Sequence, residues 1–254
     1  MTRVICLASG KGGVGKTVTT ANLAAALAKF GERVVAIDGN LTTSNLGLHL
    51  GIPLYPVTIQ DVLRKKARLK EATYYHPAGF RVIPADVSFD KFMLPKANDL
   101  LEVFYRLTGD AGFVLIDSAA GLGKEAQAAI EASDEMITIT SPELPAMTDA
   151  LKLGKMAENF DTKNIGVIIN RVRGESFEFK ADGVEDFLSL PVLGHVHESV
   201  EIPRSVARGE PVVTHKPGSK PAQQFMAIAA KLIGEDYRPK FGSGLVSRVF
   251  GWLR

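Results

Sequence analysis

The feature that most constrains this chain is a glycine-rich loop near its amino terminus. The loop matches the pattern G-x-x-x-x-G-K-[ST] and reads Gly10-Lys11-Gly12-Gly13-Val14-Gly15-Lys16-Thr17. It directly follows an apolar run at residues 4–8 and precedes a helical run that starts near Thr17. Strand, loop and helix in this order are the context in which such a loop cradles phosphates, so a chance glycine-rich turn is the weaker interpretation. The sequence therefore predicts a site for a magnesium nucleoside triphosphate.

Each residue type in the loop has a part in that chemistry. Glycines let backbone N–H groups approach phosphate oxygens without a Cβ in the way. The start of the helix adds its positive end, Lys16 supplies a charge for the β- and γ-phosphates, and the Thr17 hydroxyl can bind Mg²⁺. The residues predicted to contact the nucleotide here are Gly10, Lys11, Gly12, Gly13, Val14, Gly15, Lys16, Thr17 and Val18.

Two further apolar runs end in a carboxylate, as a phosphate-transfer site requires. Residues 113–116 are followed by Asp117, which we predict to hold water on the metal, and then by Gly121 in a segment predicted to move as a switch. Residues 34–37 are followed by Asp38 and a polar stretch, which is a candidate first switch. The alternatives are a helix N-cap for Asp117 and a plain surface loop after Asp38.

Short β-branched runs alternate along the chain with longer amphipathic or alanine-rich runs. This alternation predicts an α/β fold with a doubly wound, mostly parallel sheet covered by helices on both faces. The predicted strands are residues 4–8, 33–37, 80–83, 113–116, 135–140, 165–169 and 192–195. The predicted helices are residues 17–30, 58–65, 96–107, 124–132, 147–159, 181–189, 200–208 and 222–234.

Length and composition favour one domain and exclude some classes of function. We assign residues 1–234 to a single P-loop domain, because α/β folds of this size commonly form one unit. The net charge of +2 argues against nucleic-acid binding by bulk charge. The one cysteine, Cys6, excludes a disulfide framework or a cysteine metal site within one chain, which fits a reduced, cytoplasmic setting. We expect neither a signal peptide nor a membrane-spanning helix.

These motifs resemble those of the deviant Walker A ATPases, the family that includes MinD, ParA, the flagellar-number regulators and the nitrogenase iron protein. Lys11, which precedes the usual P-loop lysine, carries the resemblance. The resemblance implies a dimer that encloses two nucleotides, in which Lys11 reaches the phosphates bound by the partner. The run Asp117-Ser118-Ala119-Ala120-Gly121 is similar to the second switch of the family, with Ala119 in place of a common proline.

Two later segments extend the resemblance over nearly the whole chain. Asn170 and Arg171 resemble the strand end that reads adenine in this family, although Asn170 could also simply close a strand. The run that contains His197 and Glu198 resembles the second adenine-contacting loop, and residues 202–213 resemble the segment that follows it in MinD proteins.

The first switch departs from the family. MinD and ParA proteins generally have Asp-x-Asp there, whereas this chain has Asp38 and Asn40. Asparagine can hydrogen-bond a water molecule but cannot accept its proton, so we expect slow hydrolysis that depends on positioning. The implied catalytic residues are Lys11, Lys16, Asp38 and Asn40, and the implied metal-binding residues are Thr17, Asp38 and Asp117.

The end of the chain distinguishes among members of this family. Residues 235–244 have the composition of a linker, and residues 245–254 predict an amphipathic helix. Its apolar side would hold Leu245, Val246, Val249, Phe250, Trp252 and Leu253. This element resembles the helix with which MinD proteins bind the inner face of the membrane, and it suits an anionic lipid surface. Packing on protein is the alternative.

The sequence therefore predicts an ATP-dependent, dimerising ATPase that resembles archaeal MinD-like proteins. It would bind the membrane surface reversibly and position a cellular structure, with an activator or cargo of unknown identity. Family members that carry metal clusters need cysteines that this chain lacks. Two alternatives stay open: a ParA-like ATPase that binds DNA nonspecifically, and a nucleotide-gated scaffold with very slow turnover. The densest basic run, residues 64–70, is interpreted as a solvated helix face rather than a DNA-binding patch.

Overall fold

The chain forms a central sheet, and the computed structural model describes residues 1–52, 54–87 and 96–238. The strands are β1 (Arg3–Ser9), β2 (Val34–Gly39), β3 (Tyr74–Tyr75), β4 (Arg81–Ile83), β5 (Phe113–Ala120), β6 (Glu135–Thr140), β7 (Lys163–Val172) and β8 (Val192–His197). They lie in the order β3-β4-β2-β5-β1-β6-β7-β8. All neighbouring pairs are parallel except β3 with β4. The predicted α/β fold with a mostly parallel sheet is confirmed.

Helices connect the strands on both sides of the sheet. They are α1 (Lys16–Lys29), α2 (Leu46–His49), α3 (Ile59–Leu63), α4 (Ala97–Tyr105), α5 (Lys124–Glu131), α6 (Leu144–Ala157), α7 (Ala181–Leu188), α8 (Glu201–Ala207), α9 (Val212–His215) and α10 (Lys220–Ile233). Within the described residues, no helix is both long and apolar enough to cross a membrane.

Both faces of the sheet are buried, which explains why the strands read as nearly continuous apolar runs. Successive side chains of β1 point to opposite faces, so Ile5 and Leu7 join one core while Cys6 joins the other. On the first face α1 and α10 pack together over the sheet, where Leu27 and Phe225 are fully buried. Helices α4 and α5 contribute to the core on the second face.

The parallel arrangement brings several strand ends to one edge of the sheet. Asp38 at the end of β2 is in register with Asp117 of β5, and Ser9 at the end of β1 is in register with Ala120. Helix α1 begins at this same edge. Loops and helix N-termini therefore converge there, as they do at ligand sites of open α/β sheets.

The structure differs from the sequence-based assignment in its short elements. Strand β3 and helices α2 and α9 were not predicted, because two to four residues are too few to show a periodicity. The interpretation of residues 64–70 as a helix face is wrong. Helix α3 ends at Leu63, Lys65 follows with a φ of 60°, and Leu69–Ala72 form a 3₁₀ turn.

The described end of the chain contacts the body of the domain. The Tyr237 hydroxyl donates a hydrogen bond to Gln223 Oε1 at 2.8 Å, and its ring meets Phe30 edge-on with centroids 5.9 Å apart. The first part of the predicted linker is therefore held against α1 and α10. Residues 239–244 and the predicted tail helix, residues 245–254, lie outside the described residues.

Candidate functional site

The glycine-rich loop joins β1 to α1 and depends on glycine for two different reasons. Gly13 and Gly15 have φ of +82° and +91°, which other L-residues rarely adopt. A Cβ on Gly15 would also lie 2.1 Å from Asn170 Nδ2. Gly10 is needed for packing, since a Cβ there would lie 2.2 Å from the Asp149 carbonyl oxygen of α6. The loop is thus fitted between β7 and α6.

Lys16 and Asp117 form a buried ion pair beneath the loop. Lys16 Nζ lies 3.0 Å from Asp117 Oδ1 and also donates to the Ser118 carbonyl, and the two residues are only 7% and 1% exposed. An ammonium group has three protons, so one remains for a phosphate oxygen. Asp117 Oδ2 is buried without a hydrogen-bond partner among the described residues. Such an oxygen is suited to hold a water molecule of a hydrated metal ion.

A cavity of about 650 Å³ opens above this pair at the carboxyl edge of the sheet. The glycine-rich loop and the start of α1 form one side, and the first switch segment, residues 40–45, contributes to the other. The lining residues include Ser9, Gly12, Gly13, Val14, Gly15, Lys16, Thr17, Asn40, Thr42, Thr43, Ala120 and Glu125. The cavity is large enough for a polyphosphate and its metal.

Asp38 organises the first switch from below rather than lining the cavity. Its Oδ1 accepts the Asn40 amide at 3.1 Å, and its Oδ2 accepts the Ser44 hydroxyl at 2.7 Å and the Leu46 amide at 3.0 Å. The carboxyl group is fully buried. Burial, together with the charge of Asp117, raises its pKa to about 7. Its position does not support the expected direct contact with metal.

A second cavity of about 490 Å³ continues from the first past Gly13, Gly15 and Val18. One wall is apolar and comes from α8 and its flanks: Ile202, Pro203, Val206 and Ala207. Asn170, Arg171 and Glu198 supply its polar groups. An apolar cavity with few polar groups, called the slot below, is suited to a nucleobase.

Asn170 supplies the slot with a hydrogen-bond acceptor. Its Nδ2 donates to the Val14 carbonyl at 2.7 Å, which fixes the orientation of the amide. Its Oδ1 is buried and has no partner among the described residues, so it is an unused hydrogen-bond acceptor. The exocyclic amino group of adenine is a donor, whereas guanine has a carbonyl oxygen at the same position. The slot therefore fits adenine.

The comparisons with known proteins agree with this geometry. The family described as the CobQ/CobB/MinD/ParA nucleotide binding domain matches residues 5–212. The chain belongs to this family. An uncharacterised ATP-binding protein of Methanocaldococcus jannaschii is 42% identical over 258 residues, which covers 99% of this chain and 98% of that protein.

Solved MinD structures are similar over most of the chain. The septum site-determining protein MinD of Pyrococcus horikoshii OT3, solved in complex with Mg-ADP, is 36% identical with a TM-score of 0.87. The similarity covers 91% of this chain and 96% of that one. The cell division ATPase MinD of Pyrococcus furiosus is 34% identical with a TM-score of 0.88 over 92% of this chain and 99% of its own. The resemblance read from the sequence is confirmed at the level of the MinD/ParA family and its fold.

Two other residues expected to contact adenine, Arg171 and Glu198, line the slot together with Asn170. Arg171 donates to the Gly13 carbonyl at 3.0 Å and pairs with Glu198 Oε1 at 2.9 Å, so it joins the loop to the segment directly after β8. Hydrogen bonds from Arg173 and Arg171 lower the pKa of Glu198. His197 lies elsewhere: its ring is hydrogen-bonded to Gln224 of α10 at 2.7 Å, and it does not line the slot. The expected nucleotide contact by His197 is not supported by its position.

The remaining switch residues lie around the phosphate cavity. Gly121 has a φ of +87° and donates its amide to the Ser9 carbonyl at 2.9 Å. Asn40 uses its whole amide within the loop, because Nδ2 donates to the Thr43 carbonyl at 2.7 Å while Oδ1 accepts from the amide and hydroxyl of Thr43. Lys11 is exposed and lies outside the cavity lining.

The sequence analysis missed two residues of the phosphate cavity. Ser9 lines the cavity, and its hydroxyl is buried without a partner among the described residues. Glu125, near the start of α5, also lines the cavity and binds Thr42. Nothing in the motif marks Glu125, because an acidic residue in the first turn of a helix is common for its interaction with the helix dipole.

Proposed function

We propose that this protein is a MinD-like, ATP-dependent switch ATPase that dimerises around its nucleotide, binds the membrane surface reversibly and positions a cellular structure. The observation that carries the proposal is the pair of joined cavities at the carboxyl edge. One holds Lys16 above Asp117, and the other presents the unused Asn170 Oδ1.

The cavity chemistry supports binding and hydrolysis of ATP. Thr17 lines the cavity, and Asp117 Oδ2 is free behind it, so these residues would hold Mg²⁺ and its water. The metal would neutralise charge on the β- and γ-phosphates. Lys16, which is itself buried, would place its ammonium group against the same oxygens.

The surface around the cavities supports dimerisation through this edge. The loops and helix starts that follow β2, β5, β6, β7 and β8 each expose a large apolar side chain: Leu48, Leu122, Leu144, Phe177 and Val200. These residues are between 38% and 63% exposed. A second copy of the chain would cover them, and the exposed Lys11 would then face the nucleotide of the partner.

The sequence of residues 245–254 supports membrane binding, although these residues lie outside the described part of the chain. A short helix with Phe250 and Trp252 on its apolar side binds lipid weakly by itself. Two such helices on one dimer would bind much more tightly by avidity. ATP would therefore control location by controlling dimerisation.

A nucleotide-gated scaffold with very slow turnover is the second candidate. It is favoured by the Asn40 amide, since both of its polar atoms are engaged by Thr43 rather than directed to a water molecule. The DNA-binding alternative gains no such support. The groove beside residues 64–70 is lined by Glu71, Asp99 and Glu102 as well as by basic residues.

Co-sedimentation with vesicles that contain anionic lipid tests the membrane proposal. We expect binding of the full chain with ATP and Mg²⁺ but not with ADP, and loss of binding in Trp252→Glu. Tyr105→Glu, at an aromatic residue 79% exposed on α4, is the matched control and should bind as the native chain does. Equal binding with ATP and ADP, or unchanged binding of Trp252→Glu, would reject the membrane switch.

A further inference from the structure

The phosphate cavity contains a carboxylate that the P-loop and switch motifs do not account for. Glu125 is the second residue of α5, the helix that follows the second switch. It is only 8% exposed, and its side chain lines the same cavity as Gly12, Lys16 and Thr17. Among the described residues that line this cavity, Glu125 is the one that carries a carboxylate.

The first switch holds this carboxylate in a fixed orientation. The Thr42 amide donates to Glu125 Oε1 at 3.0 Å, and the Thr42 hydroxyl donates to Oε2 at 2.8 Å. A carboxylate has about four lone-pair positions, so each oxygen can still accept another hydrogen bond. A general base is expected to be held in place by a hydrogen bond from a neighbouring group, as Thr42 holds Glu125.

The other carboxyl groups near the cavity, and the Asn40 amide, are less suited to receive a proton from water. Asp38 binds the loop from below and does not line the cavity, and Asp117 is paired with Lys16. Asn40 cannot accept a proton, and its amide is bonded to Thr43. The first switch therefore contributes Asn40 rather than a carboxylate to the cavity lining, while α5 contributes Glu125.

We propose that Glu125 is the general base of ATP hydrolysis, oriented by Thr42. The inference depends on the proposed ATPase function. In the step, a water oxygen forms a bond to the γ-phosphorus while the bond from that phosphorus to the β,γ-bridging oxygen breaks. ADP leaves with that electron pair, and the water proton passes to Glu125 before it is released to phosphate or solvent.

The test compares Glu125→Gln with Glu131→Gln, an exposed residue at the end of the same helix. Glutamine preserves the shape of the side chain and one of its two acceptors for Thr42, but it cannot take the proton. A general base contributes about 100-fold or more, so the single-turnover rate of Glu125→Gln should fall by about 100-fold. ATP affinity should stay within about threefold, and Glu131→Gln should match the native chain.

Two further measurements separate catalysis from folding. After incubation with ATP, the nucleotide recovered from Glu125→Gln should be ATP, whereas the native chain should yield ADP. The double variant Asn40→Asp with Glu125→Gln adds a carboxylate at a residue of the first switch that lines the cavity and removes the amide donor to the Thr43 carbonyl. It should therefore recover about tenfold of the lost rate, and no recovery would contradict proton transfer as the step that was lost.

The outcomes distinguish this inference from the function on which it depends. A native chain that binds ATP but forms no ADP overturns the ATPase proposal itself. A native chain that hydrolyses ATP, with Glu125→Gln within about threefold of its rate, overturns only the role of Glu125. Equal loss of ATP binding and hydrolysis in Glu125→Gln would show that the residue supports the fold of the site, which also contradicts the inference.

Discussion

Replacing Asn170 by alanine should remove the preference of this protein for adenine. The substitution deletes Oδ1, the buried acceptor without a partner, and Nδ2, which donates to the Val14 carbonyl at 2.7 Å. One hydrogen bond is worth about 1 kcal/mol net, so the Kd for ATP should rise about fivefold. Guanine has a carbonyl oxygen in place of the adenine amino group that would donate to Oδ1, so the Kd for GTP should change much less. The Val14 carbonyl loses its partner, which should also lower the free energy of unfolding by about 1–3 kcal/mol.

Calorimetric titration of both nucleotides with Mg²⁺, combined with urea unfolding, tests this prediction. Asn164→Ala is the matched control, because Asn164 lies near the other end of β7 and donates to Thr138 Oγ1 at 3.0 Å. It should reduce stability without changing the ratio of ATP to GTP affinity. If Asn170→Ala weakens the binding of ATP and GTP equally, the cause is a change in the glycine-rich loop. That result would refute a hydrogen bond between Oδ1 and the base.

Three further predictions concern residues beneath the cavity and in its lining. Because the pKa of Asp38 is raised to about 7, the folded chain holds a proton there that the unfolded chain releases near pH 4. Between about pH 5 and the folded pKa, the native chain should therefore lose stability relative to Asp38→Asn, on the order of 1 kcal/mol in the free energy of unfolding per pH unit. Urea unfolding from about pH 5 to about pH 8 measures this difference, and a difference that does not change with pH would contradict the prediction. Gly15→Ala should abolish nucleotide binding and lower the free energy of unfolding by about 1–3 kcal/mol, because φ is +91° and the new Cβ would lie 2.1 Å from Asn170 Nδ2. A titration that gives near-native ATP affinity would exclude that clash. Lys16→Ala should cost about 3–5 kcal/mol in thermal unfolding, since it leaves the Asp117 carboxylate buried without its cation, and adding Asp117→Asn should restore most of the loss. No recovery in the double variant would count against the ion pair as the cause.

The sequence was sufficient for the features that repeat or that follow a motif. Strands β1, β2 and β5 are apolar on both faces, so their runs were visible, and the loop before Lys16 marked the edge at which the site lies. Asp117 could be assigned because it follows such a run directly. These predictions depend only on local order along the chain.

Features that depend on contacts between distant segments could not be predicted. Glu125 binds Thr42, a residue 83 positions away, so its place in the phosphate cavity follows from the register of β2 and β5. His197 belongs to a segment that resembles an adenine-binding loop, yet its ring turns to Gln224 because α10 packs beside β8. In both cases the direction of the side chain is set by tertiary packing, which a motif does not encode.

We expect ATP to join two copies of this chain through the edge of the sheet at which the cavities open. Light scattering during size-exclusion chromatography measures this directly, with ATP or ADP and Mg²⁺ present and with Lys11→Ala beside the native chain. We predict the mass of a dimer for the native chain with ATP and that of a monomer with ADP. Lys11→Ala should bind ATP yet remain a monomer, because Lys11 is exposed outside its own cavity. A native chain with the same mass in ATP and ADP would contradict the account.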